Sequence, residues 1–260
     1  MIKLYSIASD GKILVDDGKT GREATAAECS SYGYDFRNGS CYAHGKQTVS
    51  DGAKNKVLGS GNVVTSSNNS IIGKGNRVRS SDCNIIGNNN EIDAKALSST
   101  IIGANGRAFR HGEIVKAATS SVGRTQKSVL MFEGRTVNSS AATELYLANV
   151  TGHRFCVDEK YNRSVLALDI HSTFKKIDST QATCGYMHSN ACFQSTAGVL
   201  AINGSHTSLF ATAGMSTSVV VLTATSGTPD YIKVHVVGDR TMTQDWSVVI
   251  NVYEIKTTAV

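Results

Sequence analysis

Residues 55–64, 69–78, 83–92 and 99–108 read NKVLGSGNVV, NSIIGKGNRV, CNIIGNNNEI and STIIGANGRA. Each unit sets two aliphatic residues before a glycine and closes on another apolar residue. The glycines, Gly59, Gly73, Gly87 and Gly103, lie 14, 14 and 16 residues apart. Four copies at so short a period mark a solenoid rather than a globular domain. The pairs Val57-Leu58, Ile71-Ile72, Ile85-Ile86 and Ile101-Ile102 are β-rich. Successive strand residues point to opposite faces, so two adjacent aliphatics ask for burial on both. A coil this small has one interior. The second face needs another surface, and the simplest is another copy of the chain. The glycines suit a turn with positive φ. Asn62, Asn76 and Asn90 recur at one offset, where stacked amides form a ladder.

These 54 residues resemble the head repeats of trimeric autotransporter adhesins, and similar repeats occur in bacteriophage fibres. The resemblance implies a left-handed β-roll of three chains about one axis. It speaks for an architecture and not for a function.

Working outward, the 260-residue chain carries a net charge of +5, with no lysine or arginine cluster. No nucleic-acid partner is indicated. The N-terminus MIKLYSIASDGK lacks the apolar run of a signal peptide, and no stretch approaches a membrane span. An autotransporter needs both export signal and anchor. A phage structural protein assembled in the host cytoplasm needs neither, which makes the virion the expected location.

Residues 1–50 form a compact, aromatic-rich block. Asp10-Gly11 is a hairpin turn between residues 2–4 and 13–15. Thr20 and Glu23 read as a capping box for a short helix through Glu28. The block is expected to dock on another virion protein, to cap the solenoid, or to do both. Cys29, Cys41 and His44 lack a fourth ligand at zinc spacing. Free thiols suit cytoplasmic assembly, and a Cys29–Cys41 bridge formed after release stays open.

After Ala108 the period stops. Residues 109–260 read as a separate antiparallel domain of sandwich or jelly-roll type. Strands are expected at 128–132, 144–147, 164–170, 218–223, 231–237 and 246–255. The order QKSVLMFEGRTV (126–137), TELYLA (143–148), RSVLALDI (163–170), TSVVVLTA (217–224), YIKVHVVG (231–238) and DWSVVINVYEI (245–255) resembles a C-terminal domain of phage fibres. That resemblance implies a trimeric distal knob. CGYMHSNACF (184–193) departs from the pattern in being less charged.

The expected fold is therefore all-β: a docking module (1–50), a trimeric β-roll stem (51–108) and a knob (109–260). At ~4.8 Å per rung, four rungs make a stem of about 20 Å, which fits a head fibre, a capsid decoration or a short tail appendage. No GxSxG, HExxH or P-loop is present. Asp158 and Glu159 are adjacent and point apart on a strand. No enzyme activity, cofactor or metal is expected. Receptor contact, to a host glycan or protein, is placed in knob loops at Tyr186, His188, Phe193 and His206. The alternatives are a glycan-degrading or self-cleaving tailspike, which needs two carboxylates across a cleft, and a cell-surface adhesin.

Overall fold

The computed structural model describes residues 3–7, 12–16, 21–31, 35–37, 39–42, 48–49, 54–138, 140–158, 160, 163–177, 184–196, 199–203, 207–211, 219–227 and 229–257. The described residues are all-β apart from one short helix, Ala26–Ser31. Among the described residues no helix is long and apolar enough to cross a membrane.

The repeats form a parallel β-solenoid of about four turns. One wall stacks Lys56–Leu58, Ser70–Ile72, Asn84–Asn88, Thr100–Ala104 and Ile114–Ala118. The other stacks Thr48–Val49, Val63–Val64, Arg77–Val78, Glu91–Ile92 and Arg107–Ala108. The parallel pairing therefore continues beyond residues 51–108 at both ends. Thr48 pairs with Val63, and Val115 takes its place opposite Ile101. The last rung escaped the sequence pattern because Ala117 stands where a glycine is expected.

Alternation splits each aliphatic pair. Ile71, Ile85 and Ile101 are buried in the coil with Val64, Val78, Ile92 and Val115. Their neighbours Leu58, Ile72, Ile86 and Ile102 point outward and are 62, 50, 54 and 44% exposed. Each fully buried aliphatic side chain contributes about 1.5–3 kcal/mol. Gly59, Gly73, Gly87 and Gly103 all have positive φ, between 117° and 143°. A Cβ on any of them would lie within 2 Å of a carbonyl oxygen on the next rung. Glycine here permits both the backbone angle and the rung spacing.

Asn62, Asn76 and Asn90 lie inside the coil, not on its surface. Asn76 Nδ2 donates to Asn62 Oδ1 at 3.0 Å and to Gly87 O at 2.9 Å, and Asn90 repeats the pattern one rung on. Each amide oxygen also accepts the backbone N–H of the next rung's residue. This satisfies polar groups that burial would otherwise leave unpaired. A second column runs through Asn55 and Asn69: Asn69 N donates to Asn55 Oδ1, and Cys83 N to Asn69 Oδ1.

The wall that carries the exposed aliphatics runs on without a break. Ile114–Ala118 pairs antiparallel with Thr125–Thr136, which pairs with Gln244–Thr257, then Arg163–Lys176, then Cys184–Thr196. The inner face of this long sheet packs against Thr143–Leu147, Phe155–Cys156, Val219–Thr225 and Tyr231–Val237. Phe132, Phe193, Ile250, Leu145, Val220 and Val234 belong to that one core. All six strands expected beyond residue 109 are present. Cys184–Thr196 was expected to be a loop and is a 13-residue strand.

In the N-terminal block Lys3–Ile7 and Ile13–Asp16 pair as the expected hairpin, whose turn lies outside the described residues. The capping box sits five residues later than expected. Thr25 Oγ1 accepts from Glu28 N, and Glu28 Oε2 accepts from Thr25 N. Glu23 instead lies on the strand Gly21–Glu23, where Lys12 pairs with it. Cys29 and Cys41 form a disulfide, which removes them as zinc ligands; His44 lies outside the described residues.

Candidate site at the stem–knob junction

Where the solenoid meets the antiparallel C-terminal sheet, six ionic side chains are almost completely withdrawn from water: Arg107, Arg110, Glu113, Asp158, Glu254 and Lys256. Three are cationic and three anionic. Buried charges persist only when paired and hydrogen-bonded. Arg110 donates through Nη1 to Glu113 Oε1 at 2.8 Å, through Nη2 to Glu254, and through Nε to Cys156 O. Glu113 Oε2 accepts from the backbone of Phe109 and Arg110. Lys256 Nζ lies 3.1 Å from Asp158 Oδ2 and 3.0 Å from Glu254 Oε2. Burial pushes the Glu254 carboxyl up, but Arg110 and Lys256 outweigh it and hold it well below the usual range. Residues 107–113 lead into the last solenoid rung, Ile114–Ala118, while Asp158, Glu254 and Lys256 belong to the antiparallel C-terminal part, so the ion pairs bind the two parts.

A cavity of about 410 Å³ opens beside this cluster, lined among others by Asp93, Lys95, Arg107, His111, His153, Arg154, Asp158 and Lys160. Arg107 reaches three carboxylates: Glu91 at 3.0 Å, Asp93 at 3.1 Å and Asp158 at 3.1 Å. Its Nε approaches Asp158 at ion-pair distance without hydrogen-bond geometry. Burial raises the Glu91 carboxyl, yet the Lys160 hydrogen bond and the Arg107 and Lys160 charges bring it below its ordinary value.

Asp158 is committed to this framework. Oδ2 meets Arg107 and Lys256, and Oδ1 accepts the Lys160 backbone N–H. It is not placed as a proton donor. The imidazoles differ. His111 and His153 meet edge to face with centroids 4.4 Å apart. The buried Nδ1 of His111 has no hydrogen-bond partner. Burial and the neighbouring His153 lower the His111 pKa, so its ring is neutral at neutral pH. Arg154, at the rim, pairs with Glu144 at 3.0 Å and stacks over Tyr231.

Of the residues expected to meet a receptor, Tyr186 and His188 are half-buried on the outer face of the long sheet. Phe193 points the other way and is fully buried in the knob core. It cannot stack on a ligand, because strand parity sets it opposite to Tyr186 and His188. His206 lies outside the described residues. The structure brings His153 and Arg154, between Thr143–Leu147 and Phe155–Cys156, to the cavity. Its other half, residues 93–111, gave no signal, since those side chains meet the knob only in three dimensions.

No protein-family model matches the chain, and no curated protein is similar to it. Among solved structures it is similar to the tailspike protein of Acinetobacter baumannii phage AM24, at 10% identity and a TM-score of 0.27, over 82% of this chain and 48% of that one. It is also similar to the tailspike protein of Acinetobacter phage vB_ApiP_P1, at 8% identity and a TM-score of 0.22, over 79% and 45%. The chain thus spans a little under half the length of each. Scores this low do not describe a shared whole fold. The two neighbours correct one expectation. Both neighbours are tailspikes, the class set apart above as the glycan-degrading alternative, and the non-enzymatic reading is set aside.

Proposed function

We propose that the chain is a tailspike-type protein of a phage virion, a homotrimer whose knob engages and cleaves an acidic glycan of the host surface. The observation that carries this reading is the row Leu58, Ile72, Ile86 and Ile102. It is a regular apolar stripe on the outside of a coil whose interior is already full. Contiguous exposed apolar surface marks an interaction site. Its occupant is a second copy of the same chain, since only an identical solenoid repeats the same rung spacing along the whole stripe.

The junction cavity is the proposed glycan site. Lys95 lines it as the cation offered to a uronate carboxylate, beside Arg154 and Lys160, which already pair with Glu144 and Glu91. The saturated Asp158 does not fit the acid of a two-carboxylate hydrolysis. The neutral His111 ring, with His153 packed edge to face against it, fits a general base. In β-elimination the base removes the proton at uronate C5. The electron pair left behind becomes the C4=C5 double bond, and the C4–O bond breaks with its electrons leaving on oxygen. Residues 1–50 are the proposed attachment to the particle.

The test combines sedimentation with incubation of the intact protein and host capsular polysaccharide. A trimer that releases unsaturated uronate ends, read by ultraviolet absorbance, is expected, with release lost in His111→Ala. Saturated reducing ends would move the chemistry to hydrolysis. A stable native monomer would overturn the assembly, and no depolymerisation of any host glycan would overturn the cleavage.

A further inference from the structure

We propose that Asp169, His171 and His188 form a binding site for a divalent transition metal, zinc being the type case, on the outer face of the knob. This site is separate from the junction cavity and does not depend on the glycan reading.

Strand register assembles it. Arg163–Lys176 pairs with Cys184–Thr196 so that His171 faces His188, and with Gln244–Thr257 so that Asp169 faces Asn251. A period of two puts Asp169 and His171 on one face of their strand. The side chains converge. His188 Nε2 lies 2.6 Å from Asp169 Oδ1, and His171 Nε2 lies 3.2 Å from Asp169 Oδ2. The imidazoles stack at 4.4 Å, inclined by 12°. One ligand atom from each of the three residues falls within 4.8 Å of the others.

Two imidazole nitrogens and one carboxylate oxygen are a donor set that zinc and related ions take. Ligand bonds of about 2.0–2.2 Å to a common centre require the donor atoms to lie a little over ~3 Å apart. The present spacing reaches that with small side-chain rotations. The next shell is also in place. Tyr186 Oη lies 2.7 Å from His171 Nδ1, and Asn251 Nδ2 donates to Asp169 Oδ2 at 3.2 Å. Such partners fix the tautomer and orientation of metal-binding side chains. All three ligands are about one-third exposed, so an ion enters directly from solvent. Three protein ligands leave a coordination position for water or for a group presented from outside. The sequence reading expected no metal. It took residues 184–193 for a loop, and so never set His188 across from His171.

The experiment uses the full chain dialysed against a chelator, then titrated with Zn²⁺ by calorimetry and with Co²⁺ by visible spectroscopy. One equivalent of zinc per chain and a tetrahedral cobalt spectrum are expected. Both should vanish in His188→Ala and in His171→Gln. Tyr186→Phe should weaken binding by about 10- to 100-fold. His235→Ala, remote on Tyr231–Val237, should bind as wild type. Thermal melts without metal show whether each variant is folded. Absence of saturable zinc binding by the wild type at micromolar metal would overturn the proposal, leaving a hydrogen-bonded Asp–His–His cluster. So would folded His188→Ala and His171→Gln variants that keep full stoichiometry.

Discussion

Replacing Gly87 by alanine tests the stacking of the solenoid directly. Gly87 has φ of 143°, a region open almost only to glycine, at a cost of about 1–3 kcal/mol for any other residue. Its new Cβ would sit 1.7 Å from Gly103 O and 2.6 Å from Gly103 C, both backbone atoms. Ordinary contact needs the rungs to part by well over an ångström. Two buried hydrogen bonds depend on the carbonyls involved, Asn76 Nδ2 to Gly87 O and Asn90 Nδ2 to Gly103 O, each 2.9 Å. A buried donor left unpaired costs about 1–3 kcal/mol. With both donors left unpaired the total is about 3–9 kcal/mol, or a fall in Tm of roughly 6–36 °C for a chain of this size. Gly61→Ala is the control in the same solenoid. It too has positive φ, 68°, but its Cβ would meet nothing nearer than 3.7 Å. The αL region alone costs about 1–2 kcal/mol. Scanning calorimetry on the two variants and the parent decides the matter. Equal shifts would mean that φ strain, and not rung contact, governs the cost. A Gly87→Ala melt within about 2 °C of the parent would refute the stacking argument.

Three further outcomes are expected. Ile71→Asp, inside the coil, should unfold the stem, whereas Ile86→Asp, on the exposed stripe, should leave circular dichroism intact and abolish trimer sedimentation; a trimeric Ile86→Asp would refute the assembly. Asn76→Ala should destabilise by about 3 kcal/mol or more by orphaning buried partners on both sides; the exposed Asn68→Ala, measured by the same melt, should cost only about 1–2 kcal/mol, the strain of its left-handed backbone at φ 60°. The Glu254 pKa is depressed in the folded chain, so its contribution to stability is complete above the unfolded carboxylate value of about 4.3 and is lost as pH falls below it; acid titration of Glu254→Gln should show a shallower loss in that window, and an unchanged acid limb would refute the assignment.

Much of the stem was legible because its signals are local. A glycine that needs positive φ, an alternating aliphatic pair and an amide repeated at a fixed offset each act within one rung or between neighbouring rungs. The burial of the asparagines was not legible, since a polar amide gives no sign that the coil interior supplies it with backbone partners on every rung. The last rung was missed because Ala117 replaces the glycine. In the knob, strands with clean alternation were found. Cys184–Thr196 was missed because its interior face interrupts Met187 and Phe193 with Gly185, Ser189, Ala191 and Ser195, small or polar residues that break the hydrophobic period. The junction could not be read at all. Arg110 and Glu254 are 144 residues apart, and nothing near either one announces its partner.

One sheet face carries several chemistries in succession, and under the proposed trimer their order would fit a single surface to both assembly and exposure. Along the stem the outward row is aliphatic, from Leu58 to Ile102. At the next rung Lys116 takes that place, opposite Lys127 on the first antiparallel strand. Lys127 in turn lies over the Tyr253 ring at 5.0 Å. Three copies joined along the stripe would bring six lysines together at this level, where like charges repel. Close axial packing on the stem row therefore has a natural end at Lys116. Beyond it the same face turns apolar again at Tyr253, Ile255 and Val165, and then polar at Asp169, His171 and His188. Subunits that part at the lysines leave this distal face with room for solvent, ions or ligand. That is the condition under which a half-exposed Asp–His–His cluster remains open to exchange instead of being sealed within the assembly.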